Sequence, residues 1–180
     1  MNSVQRIVCG IDFGAQRSGK TVVAVNTDSK TTLHRSIKGE ETDPWIIKLL
    51  TELKPTLVAI DAPLSLPGIY LATKQISDHK YTDYFYRACD RDLQAMSPMF
   101  LGGLTARAIR LKDILTQMNV EVIETYPKKI RSSGIKVNLD KAKDSHEEDA
   151  LFCLALAELY LQKHARGVGS ADEGMIWLPG

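Results

Sequence analysis

The segment RIVCGID, residues 6–12, decides the fold. Its isoleucine and valine side chains favour β-structure and the run stops at Gly14, so the segment predicts a buried strand. A second β-branched run, TVVAV at 21–25, and an alternating stretch at 31–37 follow after short turns. Three strands joined by short turns predict an antiparallel meander.

Helical and strand patterns alternate after the meander. Asp43 as N-cap, followed by a proline, predicts a helix, and the apolar run TLVAI at 56–60 predicts a fourth strand that is buried on both faces. Helical spacing of apolar residues recurs at 103–118, and a fifth strand is expected at 120–123. A long helix rich in Ala and Leu is expected over 145–164.

The order β-β-β-α-β-α-β-α predicts one α/β domain over residues 1–180 with a mixed sheet. The stretch at about 64–100 interrupts this order. Its prolines, glycine and aromatic residues predict an irregular excursion with one or two short helices, one of them near 87–96. The glycines at 167–174 predict loop and surface cover for the C-terminal tail.

Composition excludes several classes of protein. With 44% hydrophobic and 25% charged residues the chain has a globular composition, which rules out a disordered, collagen-like or disulfide-scaffold protein. The longest apolar run, at 150–157, is too short to span a bilayer, so no membrane partner is expected. The N-terminus lacks an apolar signal core and the three cysteines are far apart, which together predict a cytoplasmic protein.

The net charge is close to neutral, because 23 Lys and Arg residues face 22 Asp and Glu residues. A nucleic-acid partner must therefore be held by a local basic patch and not by a global positive field.

The segment GAQRSGKT, residues 14–21, matches the phosphate-binding loop pattern G-x-x-x-x-G-K-T. Such a loop holds phosphate at the N-terminus of the helix that follows it, where unpaired amides and the helix dipole attract an anion. Here a β-branched run and a turn signal follow, which predicts a strand and a simple hairpin loop. A nucleotide-binding phosphotransferase that uses this loop is kept as an alternative function.

Four carboxylates are the candidates for a functional site. Asp12, Asp61 and Glu124 are each the first carboxylate after a buried apolar run, and the next residues break the strand. If these strands are parallel neighbours, the three acids converge at one edge of the sheet, where open α/β sheets bind ligands. Asp149 lies one turn into an otherwise apolar helical segment, about where a helix packs onto this edge.

Clustered carboxylates repel one another and are costly to desolvate, so a fold that gathers them usually supplies a cation. Hard oxygen ligands without a Cys/His set predict Mg²⁺ or Mn²⁺ and not zinc. Two such ions about 4 Å apart can activate a water and stabilise the leaving oxygen in phosphodiester cleavage. Structural roles stay open: an Asp after a strand often forms an Asx-turn, and the helix dipole favours acids in a first turn.

Six segments occur in a specific order along the chain: GIDFG (10–14), AIDAPLSLP (59–67), RACDRDL (87–93), ETYP (124–127), EEDALFCLALA (147–157) and GMIWLP (174–179). Together they resemble a family of predicted nucleases with a ribonuclease H-like fold. The resemblance covers nearly the whole chain.

This resemblance implies a mixed five-stranded sheet, with three antiparallel strands followed by two parallel ones, flanked by helices. It also implies that acids on the first strand, the fourth strand and the C-terminal helix bind metal ions. In this sequence those acids are Asp12, Asp61 and Asp149. Glu124, in the ETYP motif, would be an auxiliary catalytic acid.

Basic residues supply candidate contacts to a nucleic acid, either DNA or RNA. Arg87 and Arg91 are four apart, on one helical face, and are candidates for phosphate contacts, with ion pairs to nearby aspartates as the alternative. Lys128 and Lys129 directly follow ETYP and would border the expected crevice, which makes them part of the best candidate nucleic-acid patch.

Two further features allow a functional or a structural interpretation. His146 could transfer a proton or support a metal ligand, although a plain polar residue at a helix start is the simpler interpretation. The aromatic residues at 81 and 84–86 could stack on bases or cover the core.

The leading hypothesis is a divalent-metal-dependent nuclease in which Asp12 and Asp61 flank the ions and Asp149 completes the site. Lys and Arg side chains would hold the nucleic acid. The alternatives are the phosphotransferase described above and a non-catalytic ribonuclease H-like binding domain.

Overall fold

One mixed sheet organises the computed structural model, which describes residues 6–28, 30–71 and 81–180. Within these residues the strands are β1 (Ile7–Asp12), β2 (Val22–Thr27), β3 (Lys30–Arg35), β4 (Leu57–Asp61), β5 (Glu121–Thr125), β6 (Ala165–Ser170) and β7 (Gly174–Pro179). The helices are α1 (Thr42–Leu53), α2 (Gly68–Leu71), α3 (Ala88–Leu93), α4 (Pro98–Leu101), α5 (Gly103–Gln117), α6 (Pro127–Ser132) and α7 (Ser145–Leu161).

The strand order of the sheet is β3-β2-β1-β4-β5-β7-β6. β1, β2 and β3 pair antiparallel, whereas β4 runs parallel to β1 and β5 runs parallel to β4. The predicted α/β class is therefore confirmed. So is the succession of three antiparallel and then parallel strands, which is the ribonuclease H-like arrangement that the resemblance implies.

Helices cover both faces of the sheet, which explains why β1 carries no charged residue before Asp12 at its end. Cys9 and Ile11 face one side, where α1 and α5 pack against them. Val8 faces the other side, where α7 presents an almost continuous apolar surface. Burial of these two apolar layers is the main force that holds the sheet and the helices together. None of the helices in the described residues is long and apolar enough to cross a membrane.

The backbone of α7 comes very close to the sheet at Gly10 of β1. A Cβ atom built on Gly10 would lie 2.0 Å from the backbone nitrogen of Leu154 and 2.5 Å from the carbonyl oxygen of Ala150. A residue with a side chain would therefore push α7 away from the sheet. The glycine sets the height of α7 above β1, and with it the position of the residues at the N-terminus of α7.

The C-terminal tail is not the loop and surface cover that its glycines predict. β6 and β7 form an antiparallel pair, and β7 joins the sheet in parallel beside β5, through Glu124 opposite Ile176 and Thr125 opposite Trp177. The sheet of the described residues therefore has seven strands and not five. Ile176 and Leu178 are buried beside α7, so packing and long-range pairing outweigh the weak local preference of a glycine-rich segment.

Residues 14–21 form a hairpin loop between β1 and β2, and not a phosphate-binding loop. The backbone N–H of Gly14 donates to Thr21 Oγ1 at 3.0 Å, which closes the loop on itself. Strand β2 follows directly, where a phosphate-binding loop requires the N-terminus of a helix. This geometry excludes the phosphotransferase that depends on this loop.

The predicted N-cap of α1 is wrong. The helix begins at Thr42 with Glu41 as its N-cap. The carboxylate of Asp43 instead accepts hydrogen bonds from Arg107, from Nη2 at 2.6 Å and from Nε at 3.0 Å. Asp43 therefore links α1 to α5.

The excursion between β4 and α5 contains α2, α3 and α4 in its described part. Helix α3 confirms the short helix that is predicted near 87–96. Residues 72–80 of the excursion lie outside the described residues.

We predict that Gly10→Ala lowers the free energy of unfolding by at least about 2 kcal/mol, because the new methyl group meets the backbone of α7. The matched control is Gly103→Ala at the start of α5, where an added Cβ atom has no neighbour within 4 Å. The control should be neutral or stabilising by up to about 1 kcal/mol. Urea unfolding measures both changes, and equal stability of the two variants would contradict the close approach of α7.

Candidate active site

Asp12 and Asp61 end two neighbouring parallel strands. Asp12 is the last residue of β1, Asp61 is the last residue of β4, and the two are register partners. Because neighbouring strands lie about 4.8 Å apart and register partners share a face, the two carboxylates emerge side by side. The structure thus brings together these two residues that the sequence singled out.

The two carboxylates line a cavity of about 220 Å³ at the carboxyl ends of the strands. Ligands of open α/β sheets bind at this edge, because loops and helix ends leave a crevice there. The other walls of the cavity come from the loops after β1 and β4, from the excursion, from α5, from the end of β5 with Tyr126 after it, and from Ile176 of β7.

Asp61 is a half-buried carboxylate whose surroundings do not stabilise its charge. Among the described residues it has no hydrogen bond or ion pair that would favour ionisation. Burial raises its pKa well above the ordinary value of an aspartate. The charges of three nearby carboxylates, on Asp12, Asp149 and Glu124, raise it further.

Asp12 is buried and is held by a histidine from the opposite layer. His146 Nδ1 lies 2.7 Å from Asp12 Oδ2. Burial raises the pKa of Asp12 to about 6, while the hydrogen bond to His146 acts in the opposite direction. The simpler interpretation of His146, as a plain polar residue at a helix start, is therefore wrong.

The N-terminus of α7 is anchored, which fixes the position of His146. Asp144 is the N-cap, and its Oδ1 accepts hydrogen bonds from the backbone N–H groups of His146 and Glu147, both at 3.1 Å. Arg35, at the end of β3, donates to the same carboxylate at 2.7 Å. The histidine that contacts Asp12 is thus positioned by a cap that is itself bound to the sheet.

Asp149 lies one turn further along α7 and is paired with an arginine. Arg131 Nη2 donates to Asp149 Oδ1 at 2.8 Å, and Arg131 Nη1 donates to Glu148 Oε2 at 2.9 Å. The guanidinium also lies over the ring of Phe152, 5.0 Å from its centroid. The third predicted metal ligand is therefore close enough to Asp61 to influence its pKa but is neutralised by Arg131.

In the part of the chain that the structure describes, no three side chains among His, Cys, Asp and Glu lie close enough together to hold a metal ion. The predicted set of three carboxylates is not assembled as a unit, since Asp12 and Asp61 lie side by side and Asp149 lies against Arg131. Two carboxylates still suit Mg²⁺, because this ion keeps several waters and commonly takes only one or two carboxylates from a protein.

Glu124 belongs to a buried ion-pair network. Register with Ile60 places it on the face of the sheet opposite to Asp61. Arg87 donates to both of its carboxylate oxygens at 2.6 Å, and the backbone N–H of Leu64 donates at 2.9 Å. Burial raises the pKa of Glu124, and the hydrogen bonds from Arg87 oppose that effect. Because both oxygens are already occupied, the expected role of Glu124 as an auxiliary catalytic acid is not supported.

Arg87 cannot contact a phosphate as the sequence suggested. Its side chain is fully buried and also donates to Asp90, at 2.7 Å from Nη2 and at 3.0 Å from Nε. Arg91 is exposed, but it pairs with Asp83 and lies 5.1 Å from the centroid of the Tyr86 ring. The ion pairs that the sequence left open as an alternative are the ones observed.

Lys128 and Lys129 lie on α6, which begins directly after Tyr126. Tyr126 lines the cavity, Lys128 is exposed and Lys129 is half-buried. The two lysines therefore border the edge of the sheet where the carboxylates emerge.

Glu173 was missed by sequence reasoning. It is buried in the turn between β6 and β7, where its carboxylate accepts from the backbone N–H groups of Gly68 at 2.8 Å and Ala88 at 3.1 Å. Nothing in the local sequence signals this contact, because its partners lie in the excursion, far away in the chain.

No protein-family model and no curated protein matches this sequence. RuvC of Thermus thermophilus in complex with a Holliday junction substrate aligns with 12% identity and a TM-score of 0.46, over 94% of this chain and 99% of that chain. Another Thermus thermophilus RuvC structure aligns with 11% identity and a TM-score of 0.43, over 87% and 96%. The trimeric exonuclease PhoExo I from Pyrococcus horikoshii OT3 aligns with 10% identity and a TM-score of 0.27, over 66% and 56%.

We predict that Arg87→Met lowers the free energy of unfolding by about 3–5 kcal/mol, because two buried carboxylates lose their shared cation. Arg91→Met is the matched control and should change it by at most about 1 kcal/mol, since the Arg91 side chain is 62% exposed. Urea unfolding distinguishes the two variants. A loss of less than about 1 kcal/mol for Arg87→Met would contradict the network.

We predict that Asp61→Asn stabilises the metal-free protein by about 1–3 kcal/mol at about pH 8, because it removes an unpaired and half-buried charge. The raised pKa fixes the sign of the pH dependence. At about pH 4 the folded protein holds Asp61 protonated, so the gain should become small there.

Asp43→Asn is the control for Asp61→Asn, because Asp43 pairs with Arg107 and the substitution should destabilise the protein. Thermal unfolding in a chelating buffer measures both variants. If Asp61→Asn destabilised the protein, the Asp61 carboxylate would be stabilising the fold without a cation, which would contradict the prediction.

Proposed function

We propose that the protein is a divalent-metal-dependent nuclease that hydrolyses phosphodiester bonds in nucleic acid. The observation that carries the proposal is the Asp12–Asp61 pair at the cavity. Asp61 lacks any stabilising partner among the described residues, and its pKa is raised by burial and by neighbouring acids. Such an arrangement disfavours folding unless a cation binds, which is typical of a functional site. The order of the six sequence motifs supports membership of the resembling family of predicted nucleases.

Asp12 and Asp61 would hold the ion, with Mg²⁺ or Mn²⁺ favoured by an oxygen donor set. A bound divalent cation supplies a Lewis acid that polarises the phosphodiester and lowers the pKa of water. Asp149 would bind the ion only after its ion pair with Arg131 breaks. Arg131 would therefore control whether the third carboxylate takes part in the site.

The remaining residues of the site position these groups. His146 contacts Oδ2 of Asp12 and so fixes the orientation of this carboxylate. The other oxygen, Oδ1, would then be the one that binds the ion. Lys128 and Lys129, at the start of α6, would bind the phosphate backbone on the side of the cavity formed by Tyr126.

One observation favours a second candidate, a non-catalytic ribonuclease H-like binding domain. Asp149 is neutralised by Arg131, so the described residues contain no ready group of three metal ligands. Such a domain would bind nucleic acid without a metal and without cleaving it. The experiment below separates the two candidates.

The proposed function is tested by incubating the protein with single-stranded, duplex and four-way junction DNA and with RNA, in Mg²⁺, in Mn²⁺ or in chelator. We predict metal-dependent cleavage of at least one substrate. Asp12→Asn and Asp61→Asn should each reduce the rate by about 10³-fold or more, since losing the ion costs several kcal/mol of transition-state stabilisation.

Asp43→Asn controls for the loss of an aspartate outside the cavity and should retain metal-dependent cleavage. Circular dichroism must show that all three variants remain folded. Cleavage that persists at the wild-type rate in Asp12→Asn and Asp61→Asn would contradict the proposal that these carboxylates hold the ion. Binding of nucleic acid without cleavage in either metal would establish the binding domain instead.

A further inference from the structure

The cavity beside the carboxylates is lined by two chemically different kinds of residue. Four are acidic: Asp90 and Glu124, which are paired with Arg87, and Asp12 and Asp61, which are called the acidic side below. Others are apolar, and Phe13, Met96, Leu101 and Leu104 among them are called the apolar side below. Catalysis at a phosphodiester needs only the acidic side, so the apolar side calls for a separate explanation.

We propose that this cavity receives one unpaired nucleobase, so that the substrate class is single-stranded or locally unpaired nucleic acid and not continuous duplex. This inference rests on the proposed function, because it takes the phosphodiester to lie at the carboxylates. The base next to that phosphate is then the group nearest to the apolar side of the cavity.

The size and charge of the cavity favour a base over other parts of a nucleic acid. At about 220 Å³ it is smaller than the range of about 300–1,000 Å³ typical of pockets for drug-sized ligands. The phosphates would lie at the cation held by Asp12 and Asp61 and at the lysine edge. The apolar side offers a phosphate no charge partner, whereas a neutral and planar base can pack against it. A base inside a duplex is stacked on both faces, so it reaches such a cavity only after leaving the stack.

A cluster of aromatic side chains, of which Phe85 and Phe100 are exposed, adjoins the apolar side through Phe100. Phe100 immediately precedes the lining residue Leu101 and is 61% exposed. Its ring centroid lies 5.4 Å from that of Phe85 and 6.0 Å from that of Tyr86. Exposed aromatic faces next to a nucleic-acid site are typical platforms for unstacked bases. The cluster can therefore hold a neighbouring base of the same strand.

The alternative explanation of the apolar side is core that is incompletely covered. Met96 argues against it, because its side chain lines the cavity while it is 58% exposed. A residue of this kind contributes little to folding, so its removal can be tested without unfolding the protein.

The experiment measures binding in the Asp61→Asn background, which prevents cleavage during the measurement. Fluorescence anisotropy compares an oligothymidine, an abasic backbone of the same length and a duplex, all at one salt concentration. We expect the oligothymidine to bind about tenfold more tightly than either of the others. Equal binding of the oligothymidine and the abasic backbone would overturn the proposal.

Two cavity variants give independent tests. Met96→Ala shortens the apolar wall, and Ala95→Phe fills the cavity, with Ala106→Phe on the exposed surface of α5 as the matched control. Both cavity variants should lose about tenfold in affinity for the oligothymidine and nothing for the abasic backbone, while the control keeps both affinities. Unchanged oligothymidine binding in Met96→Ala and in folded Ala95→Phe would overturn the proposal.

The failure of this inference is distinguishable from the failure of the proposed function. If wild-type protein shows metal-dependent cleavage but the cavity variants and the abasic backbone behave alike, the nuclease stands and the base-binding cavity does not. If no metal supports cleavage but the oligothymidine preference is lost in the cavity variants, the cavity binds a base in a protein that does not cleave nucleic acid.

Discussion

The contact between Gly10 of β1 and the backbone of α7 determines the geometry of the candidate site. Without a side chain at Gly10, the helix lies on the strand at backbone distance. Two residues beyond Gly10, Asp12 ends the strand, and the first turn of α7 lies above it with His146 in hydrogen-bond contact. A larger spacing would break that contact. The close packing of α7 on Gly10 thus fixes the position of His146 relative to Asp12 at the edge of the sheet.

The buried acids near the carboxyl ends of the strands fall into two groups, those that have partners and one that has none among the described residues. Glu124 and Asp90 are buried but share Arg87, and Glu173 is buried but caps two backbone N–H groups. These acids fasten the excursion to the sheet. Asp61, a few residues from the same network, has no such partner among the described residues, although its charge is equally costly to bury. The difference separates acids that hold the structure together from an acid that is available to a ligand.

Local sequence patterns predicted most of the fold and only part of the site. β1 and β4 are apolar up to the aspartate that ends each of them, and α7 contains the apolar run at 150–157, so their periodicity or β-branching is strong enough to define them. The strands of the tail were missed because β7 is stabilised by pairing with β5 and by burial of Ile176, neither of which is local. Asp12 and Asp61 were found because both end buried strands. The contact of Arg87 with Glu124 spans 37 residues and that of His146 with Asp12 spans 134, and no local pattern reveals either of them.

The central claim is that Asp12 and Asp61 together bind a divalent cation. Isothermal titration calorimetry with Mn²⁺ tests it most directly, on wild-type protein, on Asp61→Asn and on Asp43→Asn. The expected result is a saturable heat of binding in wild type and in Asp43→Asn that is lost in Asp61→Asn. Equal heats in wild type and Asp61→Asn, or no heat in wild type, would contradict a metal site at this pair of carboxylates.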